Sequence, residues 1–295
     1  MRQFLYKILF IFSLGFILPQ MVFAAQISFD TKTTQMQVGK NFEVILFVNT
    51  EQENINAFEG KVTFPGNFLD LKEIRDGNTI VNFWVEKPKA QDNTIVFSGV
   101  TPGGFNGRNY LLFSAIFEAK KEGVAKFGVN DARILRNDGI GSMAVLSITP
   151  FELVISKGSR AEISAIPKIK DRERPELFVP EIARDELVSG GKWFLVSATQ
   201  DKGTGIDHYE IKETRQRFLG IFSKWISGEF PYVLQDQELR SYVFVKAVDK
   251  AVNTRVEQIS PRNPLGWYEN YENWLIIILG LAIAYVVKKL LWRKY

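Results

Sequence analysis

The segment SGVTPGGFNGRNYLLF, Ser98 to Phe113, decides the fold expected of this 295-residue chain. Glycine and proline crowd its first ten residues, and the apolar run Leu111–Phe113 follows. Glycine adopts backbone conformations closed to other residues, so the pattern predicts a tight loop between two β-strands. Phe105 is the bulky residue of this loop. It is either a core residue or an exposed contact, and the usual burial of phenylalanine favours the core.

Apolar and polar residues alternate on both sides of this loop. The alternation is clear from Phe42 to Val48 and from Phe58 to Phe64. Further strand-like segments are Asn93–Ser98, Leu111–Ala119, Val124–Val129 and Phe151–Ser156. Turn-forming Gly, Pro, Asn and Asp residues separate the segments. This pattern predicts an antiparallel β-sandwich or barrel.

The composition changes after Ser156. The segment KGSRAEISAIPKIKDRERPE is charged and contains two prolines, which is typical of a linker. Three strand-like segments follow it: Lys192–Ala198, His208–Glu213 and Ser241–Asp249. Their spacing predicts a second, smaller sandwich of the immunoglobulin-like type.

The N-terminus has the layout of a secretory signal peptide. Arg2 and Lys7 precede the apolar stretch Ile8–Leu18, and Ala24 ends the segment. The apolar stretch is short for a membrane span, so cleavage after Ala24 is expected. An uncleaved N-terminal anchor is the alternative.

The C-terminus has the layout of a membrane anchor. The apolar run Trp274–Val287 reaches spanning length if Leu290–Trp292 are included and Lys288 and Lys289 extend to the head groups. Aromatic residues suited to a membrane interface lie at its start: Trp267, Tyr268, Tyr271 and Trp274. Basic residues without an acid follow, which predicts a cytoplasmic C-terminus and an extracellular remainder. A buried C-terminal helix is the alternative, but no polar face interrupts the run.

The basic isoelectric point reflects these two ends. The chain has 37 basic and 33 acidic residues, and the two terminal segments hold six of the basic residues and none of the acidic ones. Residues 25–273 therefore carry a net charge of −2, which gives no argument for nucleic-acid binding. Because the chain has no cysteine, its exported part has no disulfide framework and depends on core burial.

Taken together, these patterns predict an all-β protein with a single C-terminal transmembrane helix. The expected plan is a signal peptide (1–24), a first β-domain (25–157), a linker (158–175), a second β-domain (176–262), a juxtamembrane segment (263–273), the membrane helix (274–292) and a cytoplasmic tail (293–295).

Several ordered pieces of residues 26–156 resemble a cohesin domain. They are the strand NAFEG (Asn56–Gly60), the loop FSGVTPGGFNG (Phe97–Gly107), the strand and turn FEAKKEG (Phe117–Gly123) and the turn NDG (Asn137–Gly139). The resemblance implies a jelly-roll β-sandwich related to cellulose-binding modules, and a role in binding rather than chemistry. It implies a dockerin-like protein as partner. The shared ancestry with cellulose-binding modules keeps polysaccharide open as an alternative ligand.

The second β-region resembles bacterial immunoglobulin-like or fibronectin-type-III-like modules. The resemblance rests on DKGTGIDHYEI (Asp201–Ile211) and VKAVDKAVN (Val245–Asn253). Such modules are spacers at least as often as binders. The usual form has a glycine where this chain has Val252, which weakens the expectation of a tight turn there.

The sequence lacks the motifs of an enzyme. Its one histidine, His208, lies in a strand-like segment, where a partly exposed structural residue is the simplest interpretation. We find no nucleophile elbow, phosphate loop or HExxH motif, and no acid pair stands out for glycoside hydrolysis. Without an EF-hand loop the chain carries no dockerin of its own, so a dockerin-like partner is another protein. We expect no catalytic residue, metal ligand or cofactor.

The expected function is extracellular binding by a membrane-anchored protein, whose second domain holds the first away from the membrane. Candidate binding residues lie in loops and at strand ends: Trp84, Phe105, Asn106, Tyr110, Asn137 and Asp138. The sequence is equally compatible with a buried core position and with an exposed position for Trp84. A stripe of exposed aromatic side chains would favour carbohydrate, whereas a polar sheet face would favour a protein partner.

Overall fold

The computed structural model describes residues 24–157 and 170–292. The expected signal peptide up to residue 23, linker residues 158–169 and the tail at 293–295 lie outside the described residues. The described chain is mostly β, as predicted, with one long apolar helix at its C-terminal end.

Residues 25–156 form a sandwich of two sheets. Its strands are β1 (Ala25–Asp30), β2 (Gln35–Gln37), β3 (Asn41–Asn49), β4 (Ile55–Thr63), β5 (Leu69–Arg75), β6 (Phe83–Gln91), β7 (Thr94–Phe105), β8 (Tyr110–Ala119), β9 (Gly123–Arg136), β10 (Leu146–Ile148) and β11 (Phe151–Ser156). One sheet has the order β10-β1-β3-β8-β5, and the other β2-β11-β9-β4-β7-β6. Pairs β1–β10 and β2–β11 are parallel. The other pairs are antiparallel.

The core of this first sandwich is built largely from phenyl rings. Alternate residues of β3 point inward, as the sequence pattern predicts. Phe117 of β8 meets Phe64 at a centroid distance of 5.0 Å and Phe127 at 5.4 Å, and both contacts are edge-to-face. This geometry places the positive edge of one ring against the negative face of the next, which adds to the gain from burial.

Residues 181–259 form a second, smaller sandwich with its own core. Its strands are β12 (Glu181–Arg184), β13 (Trp193–Val196), β14 (Ile206–Thr214), β15 (Ile226–Gly228), β16 (Tyr232–Val233), β17 (Tyr242–Asp249) and β18 (Thr254–Ile259). They form a β12-β13-β16 sheet and a β15-β14-β17-β18 sheet. Leu195, Ile211 and Val245 are fully buried between the sheets.

The two sandwiches contact each other through the loop between β5 and β6. The backbone N–H of Asn78 donates to the carbonyl of Asp201 (3.0 Å). Lys250 forms an ion pair with Asp76 at 2.7 Å. The second sandwich therefore lies against a loop of the first.

Helix α1 (Tyr271–Trp292) follows the second sandwich. It begins three residues before the predicted transmembrane helix and ends at the same residue. Within the described residues it is the one helix long and apolar enough to cross a membrane, and its apolar side chains are not covered by the rest of the chain.

Candidate binding surface

Five of the six candidate residues lie at one end of the first sandwich. The β7–β8 loop meets the β9–β10 loop there. The Asn106 side-chain amide donates to the carbonyl of Gln52 (2.8 Å), and that of Asn137 donates to the carbonyl of Gly103 (2.9 Å). Each asparagine therefore connects two segments of the chain through a hydrogen bond. This gives each a structural role in addition to any contact with a partner.

Asp138 holds the turn that follows β9. Its carboxylate accepts hydrogen bonds from the backbone N–H groups of Ile140 (3.1 Å) and Ser142 (3.2 Å), and also from the Ser142 hydroxyl. The Ser142 hydroxyl and these backbone donors lower the pKa of Asp138 to about 2. Such bonds favour the charged form, so Asp138 is a fixed negative charge on this exposed loop.

Phe105 is buried, so it is a core residue and not an available contact. The side chain is 8% exposed. Its ring packs edge-on against Tyr110 at 4.9 Å and against Phe58 at 6.3 Å. The preceding Gly104, with φ +71°, lets the loop turn the ring inward. Tyr110 is half-buried, and its hydroxyl donates to the Asn106 carbonyl (3.1 Å). These two rings do not form an exposed aromatic platform.

Trp84 lies apart from the other five candidates. It is half-buried on β6 and packs over Gly99, whose substitution would bring a Cβ to 3.0 Å from the indole. Trp84 also lines a cleft of about 680 Å³ between the two sandwiches. The Gln200 side chain spans this region by donating to the carbonyl of Val81 (2.8 Å). Trp84 therefore packs against β7 and also lines the cleft, so it combines the core-filling role and the exposed role that the sequence left open.

His208 lies on the second-sandwich side of the same cleft. Its Nδ1 is 2.6 Å from the Asp207 carboxylate, and the side chain is partly exposed on β14. Within the described residues, this carboxylate is its one side-chain hydrogen-bond partner. The arrangement agrees with the interpretation of His208 as a structural strand residue.

A further surface, not expected from the sequence, is the outer face of the six-stranded sheet. Buried and exposed residues alternate along β9, which leaves Lys126 and Arg133 in solvent. Lys61 of β4 pairs with Asp131 at 2.7 Å, and Arg133 pairs with Glu59. The side chains of these two pairs are between 37% and 70% exposed. The face is therefore charged, with both signs interspersed.

No aromatic side chain is exposed in the first sandwich over residues 24–157. Its rings point into the core or are half-buried, as are Trp84 and Tyr110. The outer sheet face is charged around these two ion pairs and has no stripe of aromatic rings, although Val124 and Val154 are an exposed apolar pair on β9 and β11. In VAKFGVNDAR (Val124–Arg133) the sequence signal is incomplete: Lys126 and Asn130 alternate in phase, but Arg133 reaches the same face only through a bulge in the pairing with β4.

The structure also brings together three carboxylates that the sequence analysis did not single out. Side-chain oxygens of Asp171, Asp201 and Asp249 lie within 4.8 Å of one another. Burial, together with the charges of Asp171 and Asp249, raises the pKa of Asp201. No metal ligand was expected from the sequence. These three aspartates were not recognised as a group, because they are far apart along the chain.

Somewhat less than half of the chain is similar in structure to solved cohesin modules. One is the cohesin module of a family 33 glycoside hydrolase from Clostridium perfringens, with 17% identity, 46% coverage of this chain, 98% of that chain and a TM-score of 0.39. A non-cellulosomal cohesin from the hyperthermophilic archaeon Archaeoglobus fulgidus has 14% identity, coverages of 45% and 92%, and a TM-score of 0.39.

A third similar structure comes from a type I cohesin–dockerin complex of Clostridium thermocellum. It has 14% identity, coverages of 44% and 99%, and a TM-score of 0.36. No protein-family model matches the chain, and no curated protein matches its sequence.

Proposed function

We propose that this chain is a membrane-anchored extracellular binding protein whose first sandwich binds a dockerin-like protein partner. The contact surface is the outer face of the six-stranded sheet, centred on the Lys61–Asp131 and Arg133–Glu59 pairs. The observation that carries the proposal is the group of exposed charged pairs on this face, together with the lack of exposed aromatic rings over residues 24–157.

Charged side chains of both signs on an open sheet face suit recognition of another protein. Complementary charges give specificity and speed association. Because the charged side chains on this face are exposed, they can form ion pairs with another protein instead of with each other. Sugar recognition instead depends on flat aromatic faces against which a ring can stack. Protein is therefore the better-supported ligand class, and the resemblance of residues 26–156 to cohesins supports a dockerin-like partner.

Helix α1 supports attachment to a membrane. Its 22 residues extend about 33 Å, close to the roughly 30 Å thickness of a hydrocarbon core. Trp267 and Trp274 contact each other at its start, at a centroid distance of 5.6 Å. Lys288 and Lys289 lie near its end, so the positive-inside rule puts the C-terminus in the cytoplasm and both sandwiches outside.

A turn of the second sandwich also supports attachment to a membrane. Phe218, Ile221 and Phe222 are exposed apolar residues on a short 3₁₀ turn. The backbone N–H groups of Phe218 and Leu219 donate to the buried carboxylate of Glu272, in the first turn of α1. The apolar turn is therefore held beside the start of the helix, where a bilayer interface would cover it.

The proposal keeps the domain plan that the sequence predicts. The first domain, residues 25–157, is the binding module, and the second, residues 176–262, is a spacer. Residues 158–175 link them, 263–273 lead to the membrane, and residues 1–24 direct export. In this proposal the chain has no catalytic role.

The test is retention of a partner by the full-length protein, immobilised in detergent through its C-terminus. Extracellular proteins of the source organism are offered with Ca²⁺ or with EDTA, and cellulose and chitin are offered in parallel. The double variant Lys61→Glu/Arg133→Glu removes positive charge from the sheet face. The matched control, Lys120→Glu/Lys121→Glu, makes the same charge change on the exposed β8–β9 turn.

We expect the wild type and the control to retain the same protein, and the sheet-face variant to lose it at least tenfold. Retention of a glycan in place of a protein would move the assignment to a carbohydrate-binding module. Equal retention by all three proteins would place the contact surface elsewhere.

A further inference from the structure

We propose that Asp171, Asp201 and Asp249 form a Ca²⁺ site at the junction of the two sandwiches. Asp171 lies in the segment that enters the second sandwich, Asp201 in the β13–β14 loop, and Asp249 at the end of β17. The proposal concerns the architecture of the chain, so it does not depend on the identity of the binding partner.

The three side chains meet at one point. Their oxygens lie within 4.8 Å of one another. Ca²⁺ binds oxygen at about 2.3–2.6 Å, so two ligands on opposite sides of the ion are about 5 Å apart. One ion can therefore contact all three carboxylates.

One oxygen of this group is buried without a hydrogen-bond donor. Asp201 is 2% exposed, and its Oδ1 has no hydrogen bond. Its Oδ2 accepts from the N–H groups of Gly203 (3.1 Å) and Gly205 (2.8 Å). A buried carboxylate oxygen without a donor is costly, and two neighbouring carboxylates make it more so.

The described residues supply no cation to offset this charge. No lysine, arginine or histidine in residues 24–157 or 170–292 forms a salt bridge with any of the three carboxylates. Asp249 is itself 1% exposed. A bound divalent cation would provide the missing counter-charge and the missing partner of Asp201 Oδ1.

The other two carboxylates are held in place by donors of their own. Asp171 Oδ2 accepts from the N–H and the hydroxyl of Thr204, both at 2.9 Å. Asp249 accepts from the N–H (2.7 Å) and the side-chain amide (2.8 Å) of Asn253. A Cβ at Gly203 would lie 2.0 Å from Asp171 Oδ2, so the loop approaches this closely because it has glycine there. The ligands are therefore oriented before an ion binds.

The donor set selects the ion. All three ligands are carboxylate oxygens, which hard cations prefer, whereas Zn²⁺ favours nitrogen and sulfur. Mg²⁺ requires shorter, near-octahedral bonds and retains its waters, so Ca²⁺ suits this group better. Ca²⁺ sites in extracellular modules typically have dissociation constants of about 10⁻⁴–10⁻³ M.

The site has a mechanical consequence because it contacts the first sandwich. The Asp201 carbonyl accepts the Asn78 N–H (3.0 Å). A Cβ at Gly77 would lie 2.2 Å from the carbonyl of Gly203, so the two loops are closely packed. An ion that fixes the β13–β14 loop and the entering segment would also fix how the second sandwich supports the first.

The experiment measures Ca²⁺ binding to the full-length protein in detergent, after EDTA treatment and dialysis. Isothermal titration calorimetry with CaCl₂ is compared between the wild type and Asp201→Asn, with MgCl₂ as the competing ion. Asp207→Asn is the control, because Asp207 is an exposed aspartate in the following strand and the chemical change is the same. Hydrogen–deuterium exchange of peptides covering residues 76–82 and 199–206 reports the junction.

We expect one Ca²⁺ per wild-type chain and at least tenfold weaker binding to Asp201→Asn, with the control unchanged. At 10 mM Ca²⁺ the thermal midpoint of the second sandwich should rise by about 6–20 °C, and exchange in both junction peptides should slow. If Asp201→Asn does not fold, the proposal is judged on the wild type alone: the number of Ca²⁺ ions bound per chain, and the slowing of exchange in the junction peptides when Ca²⁺ is added.

Three results would overturn the proposal. They are no wild-type binding up to 10 mM Ca²⁺, equal binding by Asp201→Asn, and binding without protection of the junction peptides. A more stable Asp201→Asn in EDTA, with no Ca²⁺ response of the wild type, would show instead that Asp201 is a buried neutral acid.

Discussion

The two sandwiches of this chain are stabilised in different ways. Among the described residues, the core cluster of the first has 27 buried apolar residues and that of the second has nine. Buried polar residues show the reverse distribution: Thr50, Asp76, Thr101 and Ser114 in the first, and Ser197, Asp201, Lys212, Thr214, Gln216, Ser241 and Asp249 in the second. The second sandwich therefore buries more polar groups beside a smaller apolar core, and Asp201 Oδ1 is among the buried atoms without a hydrogen-bond partner.

This difference has physical consequences. Burial of apolar surface is non-directional and does not depend on protonation, so the first sandwich should tolerate changes of pH and ions. Buried polar groups contribute only while each has its partner, and losing one partner leaves the other unsatisfied. The Glu213 carboxylate illustrates this: it accepts from the N–H groups of Gln235 (2.8 Å) and Asp236 (2.9 Å) and from the Tyr232 hydroxyl (3.2 Å).

The largest effect should come from opening a cavity in the first core. Phe105→Ala removes a buried ring that contacts Phe58 and Tyr110, and should lower the free energy of unfolding of this sandwich by about 3–5 kcal/mol. Urea denaturation followed by hydrogen–deuterium exchange of β8 peptides measures it. Lys121→Ala, at an exposed position of the β8–β9 turn, is the control. A loss below about 1 kcal/mol would contradict the core assignment.

Alkaline pH should destabilise the second sandwich through Tyr232. Burial, with the nearby charge of Glu213, raises the pKa of Tyr232 to about 12, from an ordinary value of 10.0. Between these values the unfolded chain loses the proton first, so the stability present below pH 10 is lost as the pH rises towards 12. Urea midpoints of the wild type and Tyr232→Phe, measured from pH 9 to 11.5, should show an extra decline in the wild type. Parallel curves would exclude this coupling.

A backbone change in the second sandwich should stabilise it slightly. Val252 has φ +70° and is exposed, a conformation that costs a β-branched residue about 1–2 kcal/mol. Val252→Gly relieves this cost but adds freedom to the unfolded chain, which leaves a gain of about 0.5–1 kcal/mol. Val256→Gly, in strand β18, should instead destabilise. Thermal unfolding of both variants checks the sign, and destabilisation by Val252→Gly would refute the strain argument.

The smallest stability effect should come from the proposed contact face. Lys61→Glu/Arg133→Glu breaks exposed ion pairs, which contribute little because water already solvates the charges. Exchange protection in β4 and β9 should match that of the wild type, even though partner retention falls. Loss of protection would mean that the binding defect reflects unfolding.

The first sandwich could be predicted largely from its sequence. Strands β3 and β4 alternate in polarity as predicted. The glycine-rich segment, predicted to be a loop, instead belongs to β7 as far as Phe105, where its pairing with β4 is irregular, and the connection to β8 follows it. The candidate site was less predictable. Sequence identified loop residues such as Asn137 and Asp138, whose hydrogen bonds hold loops, and it missed the charged sheet face. A face is made of residues from neighbouring strands, and strand order is a tertiary property.

The sequence alone determined the β character of the chain, its apolar C-terminal helix and its lack of cysteine, because these properties depend on local periodicity and composition. The tertiary structure decided that Phe105 is buried, that Trp84 lines a cleft between two sandwiches, and that Asp171, Asp201 and Asp249 meet. Asp171 and Asp249 are far apart along the chain, and only the packing of the entering segment against β17 and the β13–β14 loop brings their charges together.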